Sequence, residues 1–164
     1  MKHVLLLLFL ALSLSGCALS TTASTTAPPV TTFQGTTTVL DYAGLSHLSG
    51  YDEIFTRSTS AYIVYLYSPA CHNCTAIRAA VHDFATSHTL HPIYFLNVDK
   101  VDSDGREDYL ARTGQVSIGV PCMVLISEQG SFDPEETGLH LARGSAAVLE
   151  LIARIEADNV PHWN

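Results

Sequence analysis

The sequence has 164 residues and a mass of 17.7 kDa, which is enough for one domain of ordinary size. Apolar residues make up 47% and charged residues 15%, so the chain has enough apolar side chains for a core and is not disordered as a whole. Acidic residues outnumber basic ones 16 to 8, and this excess of negative charge argues against a nucleic-acid-binding protein.

Residues 1–16 have the pattern of a bacterial lipoprotein signal peptide. Lys2 precedes an apolar run over residues 4–14, which is shorter than the ~18 residues that a membrane span needs. The run ends in the sequence LSGC, which resembles the bacterial lipobox and implies a lipid on Cys17. We therefore expect an extracytoplasmic protein, anchored in the bacterial cell envelope through Cys17. The alternative is an ordinary signal peptide with an incidental cysteine.

Residues 17–38 are predicted to form a lipidated cysteine followed by a tether. No charged residue occurs between Cys17 and position 38, and threonine, serine and proline are abundant there. Such a composition cannot bury enough apolar surface to offset the entropy of ordering the chain. The sequence thus predicts three segments: a signal peptide over 1–16, the tether over 17–38, and one domain over 39–164.

The domain alternates predicted strands and helices. Strands are predicted where apolar, β-branched and aromatic residues are concentrated, at residues 36–40, 61–67, 92–98, 122–126 and 139–142. Helices are predicted near residues 51–57, after position 71, between positions 104 and 114, and from position 145 onward. A strand, helix and strand in succession favour a parallel pair, and the late strand–turn–strand adds an antiparallel edge. The predicted fold class is α/β, with a central mixed sheet flanked by helices.

Local signals set the predicted ends of the later helices. Asp104 and Glu107 have the spacing of a capping box, and Gly114 is expected to end that short helix. Ser145 is expected to cap the last helix, whose buried face carries an apolar stripe that begins at Val148.

The residues that carry chemistry are Cys71, His72, Asn73 and Cys74, which follow a predicted buried strand and open a helix. Unpaired amide donors and the helix dipole stabilise an anion at a helix N-terminus, so we expect Cys71 to react as a thiolate. Cys74 lies one turn further on, on the apolar face with Ile77, and is expected to point inward. The two cysteines should therefore differ in exposure.

The order of elements and motifs resembles the thioredoxin superfamily. The resemblance covers about residues 39–157 and rests on the CxxC at a strand-to-helix turn and on Gly119-Val120-Pro121 before a later strand. It implies a thioredoxin-like fold, with Cys71 as the nucleophile, Cys74 as the resolving thiol and Pro121 as a cis-proline facing them. It also implies that the Val120 backbone pairs with the substrate chain.

The sequence departs from the thioredoxin pattern at several positions. Tyr65 stands where thioredoxins have a buried acid, which removes the usual proton acceptor for Cys74. Ala70 replaces a tryptophan, and Ala79 replaces a helix-kinking proline. With its lipobox, the chain looks more like extracytoplasmic thioredoxin-like proteins, including the bacteriocin-transport accessory group, than like cytosolic thioredoxin. His72 is expected either to favour the thiolate through its partial charge or to be a solvated polar side chain.

Cys122 directly follows Pro121, and three interpretations are open for it. It is a buried inert thiol, a third redox thiol, or one ligand of a metal site together with Cys71, Cys74 and His72. We assign no resident metal and no cofactor beyond the Cys71–Cys74 couple.

The sequence favours an extracytoplasmic, membrane-tethered thiol–disulfide oxidoreductase that acts on protein thiols and disulfides and exchanges electrons with an unidentified redox partner. The direction of the reaction depends on a reduction potential that the sequence does not determine. The alternative is a non-catalytic thioredoxin-like binding module, either a metal carrier or a lipoprotein that docks a partner.

Overall fold

The computed structural model describes four stretches of the chain, namely residues 42–57, 61–127, 132 and 140–160. The signal peptide, the Cys17 lipobox, the tether, the first predicted strand and the turn at 128–130 lie outside the described residues and stay predictions. Within the described stretches, no helix is both long enough and apolar enough to cross a membrane.

In the described part of the chain, four strands form one mixed sheet. They are β1 (Tyr62–Tyr67), β2 (Ile93–Asn97), β3 (Cys122–Ile126) and β4 (Leu141–Arg143). Their order across the sheet is β2-β1-β3-β4. β1 is parallel to β2 and antiparallel to β3, and β3 is antiparallel to β4. The predicted α/β class, with its parallel pair and antiparallel edge, is confirmed.

Among the described residues, three helices flank the sheet. They are α1 (His72–Ser87), α2 (Arg106–Thr113) and α3 (Ser145–Glu156). The helix predicted near residues 51–57 is instead a three-residue 3-10 turn over Tyr51–Glu53. The Glu53 carboxylate there accepts hydrogen bonds from the backbone and hydroxyl of Ser49, which holds the turn in its tight form.

β1 is the centre of the core and is buried on both faces, as its continuous apolar run predicts. Alternate side chains of a strand point to opposite faces of the sheet. Tyr65 accordingly packs in one cluster with the apolar faces of α1 and α3. Tyr62 packs in a second cluster, on the other face, with Tyr109 of α2. The sheet thus separates two apolar layers.

The periodicity of the sequence predicts the buried face of α1 correctly. The buried residues of this helix are Cys74, Ile77, Val81 and Phe84. Because the helix rises 1.5 Å per residue, its 16 residues span about 24 Å. Its C-terminal end is therefore far from the CxxC turn, and only its first turn contributes to the site.

The predicted capping box of α2 is wrong, although Gly114 ends this helix as expected. The residue before the helix is Gly105, whose φ of 76° is left-handed, and no side chain caps the first turn. The Asp104 N–H instead bonds to the Asp102 carboxylate at 3.0 Å. A Cβ atom at position 105 would collide with the Asp52 backbone, so the close approach of that loop requires glycine at the capping position.

The predicted cap of α3 is also wrong. Gly144 is the capping position, and Ser145 is the first helical residue. The Ser145 hydroxyl donates a hydrogen bond to the backbone carbonyl of Asn73 at 3.1 Å, which takes it away from its own helix. The buried stripe that begins at Val148 is confirmed.

Candidate active site at the CxxC turn

Cys71 is held at the start of α1 by a turn built around Ser68. The Ser68 carbonyl accepts a hydrogen bond from the Cys71 N–H at 3.1 Å. The Ser68 hydroxyl accepts from the Ala70 N–H at 3.1 Å and donates to the Asp99 carboxylate at 2.6 Å. Because Asp99 follows β2, this link fixes the turn to the neighbouring strand. Sequence reasoning missed the structural importance of Ser68, since its partner lies 31 residues away.

The sulfur of Cys71 is partly exposed and lies between two backbone groups. Cys71 is the capping residue of α1, and its sulfur accepts a hydrogen bond from the Cys74 N–H at 3.1 Å. Its thiol donates to the carbonyl of Val120, with a sulfur–oxygen distance of 3.5 Å. The Cys74 N–H is a hydrogen-bond donor that stabilises negative charge on the Cys71 sulfur, as expected at a helix N-terminus.

The loop that contains Val120 faces the CxxC turn, as the resemblance implies. The Val120–Pro121 peptide bond is cis. Val120 is half-buried and packs against the same cluster as Cys71, whereas Pro121 is buried. The structure thus brings Cys71 and Val120 into direct contact, although they are 49 residues apart in the sequence.

Cys74 lies behind Cys71 and is closed to solvent, with 1% of its surface exposed. Burial raises the pKa of its thiol to about 12, and its hydrogen bond to Cys71 acts in the same direction. The positive charge of Arg78, one turn further along α1, acts against this rise. Cys74 is therefore held as a neutral thiol that only Cys71 can reach.

Two buried tyrosines lie beneath this pair, where thioredoxins have an acid. Tyr65 is fully buried, and its ring packs edge-on against Tyr42 with the centroids 5.8 Å apart. Among the described residues, neither hydroxyl completes a hydrogen bond of good geometry, although the two groups interact electrostatically. Burial raises the pKa of Tyr42 to about 12 and raises that of Tyr65 still further. Both side chains are neutral, so neither can replace a carboxylate as a proton acceptor.

The two residues between the cysteines are exposed. Asn73 contributes its carbonyl to the contact with Ser145 described above. The side chain of His72 makes no hydrogen bond to any described residue, so the structure gives the imidazole no hydrogen bond through which to act on Cys71. Its influence on the thiolate stays a prediction.

The fold does not place Cys122 beside Cys71 and Cys74. Its side chain lies in the second apolar cluster, on the face of the sheet away from Cys74. It contacts the hydroxyl of Tyr109 at 3.6 Å, and burial raises the pKa of its thiol. Its surroundings fit a buried structural thiol. In the part of the chain that the structure describes, no group of three or more metal-binding side chains is present.

No family model matches this sequence, and no curated protein matches it either. Solved structures do match the fold. Thioredoxin f2 of Chlamydomonas reinhardtii shares 16% identity at a TM-score of 0.49, with 72% of this chain and 99% of that chain covered. Plasmodium falciparum thioredoxin shares 16% identity at a TM-score of 0.48, with coverages of 67% and 98%. A structure from work on the yeast mitochondrial 1-Cys peroxiredoxin shares 13% identity at 0.48, with coverages of 68% and 96%.

The chain's own geometry defines its fold class. The mixed sheet has the order β2-β1-β3-β4, the CxxC turn follows the central strand, and a cis X–Pro bond precedes β3. These are the features that the resemblance to the thioredoxin superfamily implies. The described domain has a thioredoxin-like fold, with Cys71 and Cys74 together at its strand-to-helix turn.

Proposed function

We propose that the protein is a thiol–disulfide oxidoreductase that exchanges disulfides with protein substrates. The observation that supports this most directly is the difference between the two cysteines. Cys71 is partly exposed at the start of α1, and Cys74 is buried one turn behind it. A substrate disulfide can reach the Cys71 sulfur directly. It can react with the Cys74 sulfur only after it has formed a mixed disulfide with Cys71.

In the reductive direction, the Cys71 thiolate attacks one sulfur of the substrate disulfide. A mixed disulfide forms, and the other substrate sulfur leaves as a thiolate that takes the proton of Cys74. The Cys74 sulfur then attacks Cys71, which forms the Cys71–Cys74 disulfide and releases the second substrate sulfur. The substrate gains two electrons and the protein loses two, which an external dithiol partner restores. The same atoms perform the reverse, oxidative reaction.

The path of the Cys74 proton is the distinctive step of this proposal. Tyr65 and Tyr42 lie beneath Cys74, and their hydroxyl groups are neutral. We therefore assign the proton to the departing substrate thiolate instead of to a buried base. Resolution then depends on the substrate and on pH more strongly than in a protein with a buried carboxylate.

A redox titration of the whole chain tests the function. The metal-free protein is equilibrated in glutathione buffers, alkylated, and each cysteine is assigned by peptide mass. We expect a reversible two-thiol transition at Cys71 and Cys74 that is lost in Cys71→Ala and kept in Cys122→Ala. A midpoint of about −120 to −200 mV would mark an oxidase or isomerase, and one below about −250 mV a reductase. Absence of a transition, or stoichiometric metal on the purified protein, would favour a binding module.

We further propose that the domain works outside the cytoplasm, tethered to a bacterial membrane by a lipid on Cys17, as in proteins similar to the bacteriocin-transport accessory group. The lipobox-like sequence LSGC and the uncharged residues that follow it support this location. Cys17→Ala should release the protein from the membrane fraction and abolish labelling by a fatty-acid probe. Membrane association without labelling would contradict the lipid anchor.

A further inference from the structure

Three backbone segments meet at the rim of the CxxC turn. The first carries Cys71 and Asn73, the second is the cis-proline loop, and the third is the end of β4 with the start of α3. The Gly144 N–H donates to the Pro121 carbonyl at 2.8 Å. The Ser145 hydroxyl bonds to Asn73, as described above. The residue before Gly144 is thus fixed beside both other segments.

That residue is Arg143, and its side chain lies against the cis-proline loop. Its guanidinium occupies the space that a Cβ atom would fill at Gly119, one residue before Val120. Its Nη2 donates to the Ser117 hydroxyl at 3.2 Å. The absence of a side chain at position 119 therefore allows the guanidinium to lie over the loop whose next carbonyl contacts Cys71.

The charge of Arg143 has no acidic partner among the described residues. Arg57 and Arg112, by contrast, each pair with a carboxylate four residues earlier in the chain, at 2.7 and 2.8 Å. Arg143 is exposed, and its one side-chain hydrogen bond goes to a neutral hydroxyl. A cation with no acidic partner in the described part of the chain therefore lies at the site rim of a protein whose net charge is −8.

We propose that Arg143 determines substrate specificity by binding a carboxylate side chain near the cysteine that Cys71 attacks. This inference rests on the proposed function. A guanidinium presents two parallel N–H donors that match a carboxylate, and the surrounding negative charge of the protein would otherwise repel such a group. The preferred substrate is then a protein segment with Asp or Glu close to its reactive disulfide. Arg143 takes no part in electron transfer.

Peptide disulfides test this preference on the reduced whole chain. Three peptides carry one cysteine as a neutral 2-thiopyridyl mixed disulfide and differ only in a flanking Glu, Gln or Lys. Attack by Cys71 on the peptide sulfur forms the protein–peptide disulfide and releases thiopyridone, which is followed by absorbance. Rates with dithiothreitol correct for the intrinsic reactivity of each peptide.

We expect the Glu peptide to react about 3- to 5-fold faster than the Gln peptide, as for an exposed ion pair, with the Lys peptide slowest. The preference should fall as salt is added. Arg143→Gln should abolish the preference for the Glu peptide, and Arg143→Glu should make the Lys peptide fastest. Gly119→Ala keeps the charge but displaces the guanidinium, so it should also reduce the preference.

The matched control is Arg106→Gln, which removes one exposed positive charge at the start of α2 and should keep the preference for Glu. Equal rates for the three peptides with the unmodified protein would overturn the assignment to Arg143. So would an unchanged preference in Arg143→Glu. Absence of reaction with every peptide would overturn the proposed oxidoreductase function itself, so the two failures are distinguishable.

Discussion

The backbone N–H of Cys74 donates a hydrogen bond to the sulfur of Cys71 at 3.1 Å, so the main chain already links the two cysteines in the reduced protein. The geometry follows from the position of Cys71 as the capping residue of α1. Because this donor belongs to the backbone, substitution of the Cys74 side chain leaves it in place. Attack and resolution can therefore be separated by mutation.

Cys74→Ala is expected to trap the mixed disulfide. Cys71 keeps its exposure and its backbone donor, so the first attack proceeds, but no second sulfur is present to release the substrate. Non-reducing electrophoresis and peptide mass spectrometry should show substrate bound to Cys71. Cys122→Ala is the control and should trap nothing, because its thiol lies on the other face of the sheet. Trapping through Cys122 would contradict the assignment of the attacking and resolving thiols.

The resolution step should accelerate with pH. Burial, the largest cause of the raised pKa of Cys74, remains when Cys71 is joined to the substrate, so below that pKa the Cys74 thiolate fraction grows tenfold per pH unit. In rapid-mixing experiments, the release of the second substrate thiol should therefore rise steeply with pH between neutrality and mildly alkaline conditions. A release rate that is independent of pH over this range would indicate an internal proton acceptor that the proposal does not include.

The raised pKa of Cys74 also affects the stability of the reduced protein. A thiol whose pKa is higher in the folded state favours folding below pH 9 and loses that contribution as pH rises toward 12. Urea titrations should therefore show a free energy of unfolding that falls across this alkaline window. Cys74→Ala should fall less steeply than the unmodified protein. Equal slopes for the two proteins would contradict the raised pKa.

Tyr65→Phe and Tyr62→Phe form a matched pair on β1, since both rings are fully buried but on opposite faces. The Tyr62 hydroxyl donates to the Ile54 carbonyl at 2.7 Å, whereas the Tyr65 hydroxyl interacts with that of Tyr42 without completing a hydrogen bond of good geometry among the described residues. Tyr62→Phe should reduce the free energy of unfolding by about 1–2 kcal/mol because it removes a hydrogen bond. Tyr65→Phe should leave the free energy of unfolding unchanged or raise it by about 1 kcal/mol. Urea unfolding measures both. Equal losses would show that Tyr65 makes a stabilising bond.

Gly105→Ala should destabilise the protein more than Gly114→Ala. Both glycines have left-handed φ angles, 76° and 64°, but a Cβ atom at position 105 would collide with the Asp52 backbone, while position 114 is open. We expect a loss of about 1 kcal/mol at position 114 and at least about 2 kcal/mol at position 105. Thermal or urea unfolding gives the difference. Equal losses would mean that the loop around Asp52 moves aside at little cost.

Local sequence patterns predict the elements that depend on burial alone. The apolar run predicts β1, because a strand buried on both faces is continuously apolar. A spacing of three to four residues predicts the buried face of α1, because this face repeats with the period of a helix; its residues are Cys74, Ile77, Val81 and Phe84. The CxxC turn is found for the same reason, since it separates a strand pattern from a helix pattern. The mixed sheet follows from the order of these elements.

Features that depend on distant contacts are not predicted. The sequence predicts local caps at the starts of α2 and α3, whereas the structure places the Asp52 backbone and the Asn73 carbonyl there, from 53 and 72 residues away. The position of Arg143 over Gly119 has the same origin, because β4 must first pair with β3. A helix start or a side-chain position that is set by tertiary contacts leaves no periodic trace in the sequence.

The alternation of side chains along the sheet has a consequence for oxidative folding. Before β3 pairs with β1, nothing in the chain keeps Cys122 apart from Cys71 and Cys74, and any two of these thiols can join. Once the strands have paired, Cys122 lies behind the sheet and the other two lie in front of it. Of the three disulfides that Cys71, Cys74 and Cys122 could form in pairs, the folded domain therefore allows only Cys71–Cys74. The backbone of the sheet and the burial of Cys122, which raises its pKa, together keep this third thiol from exchanging with the pair.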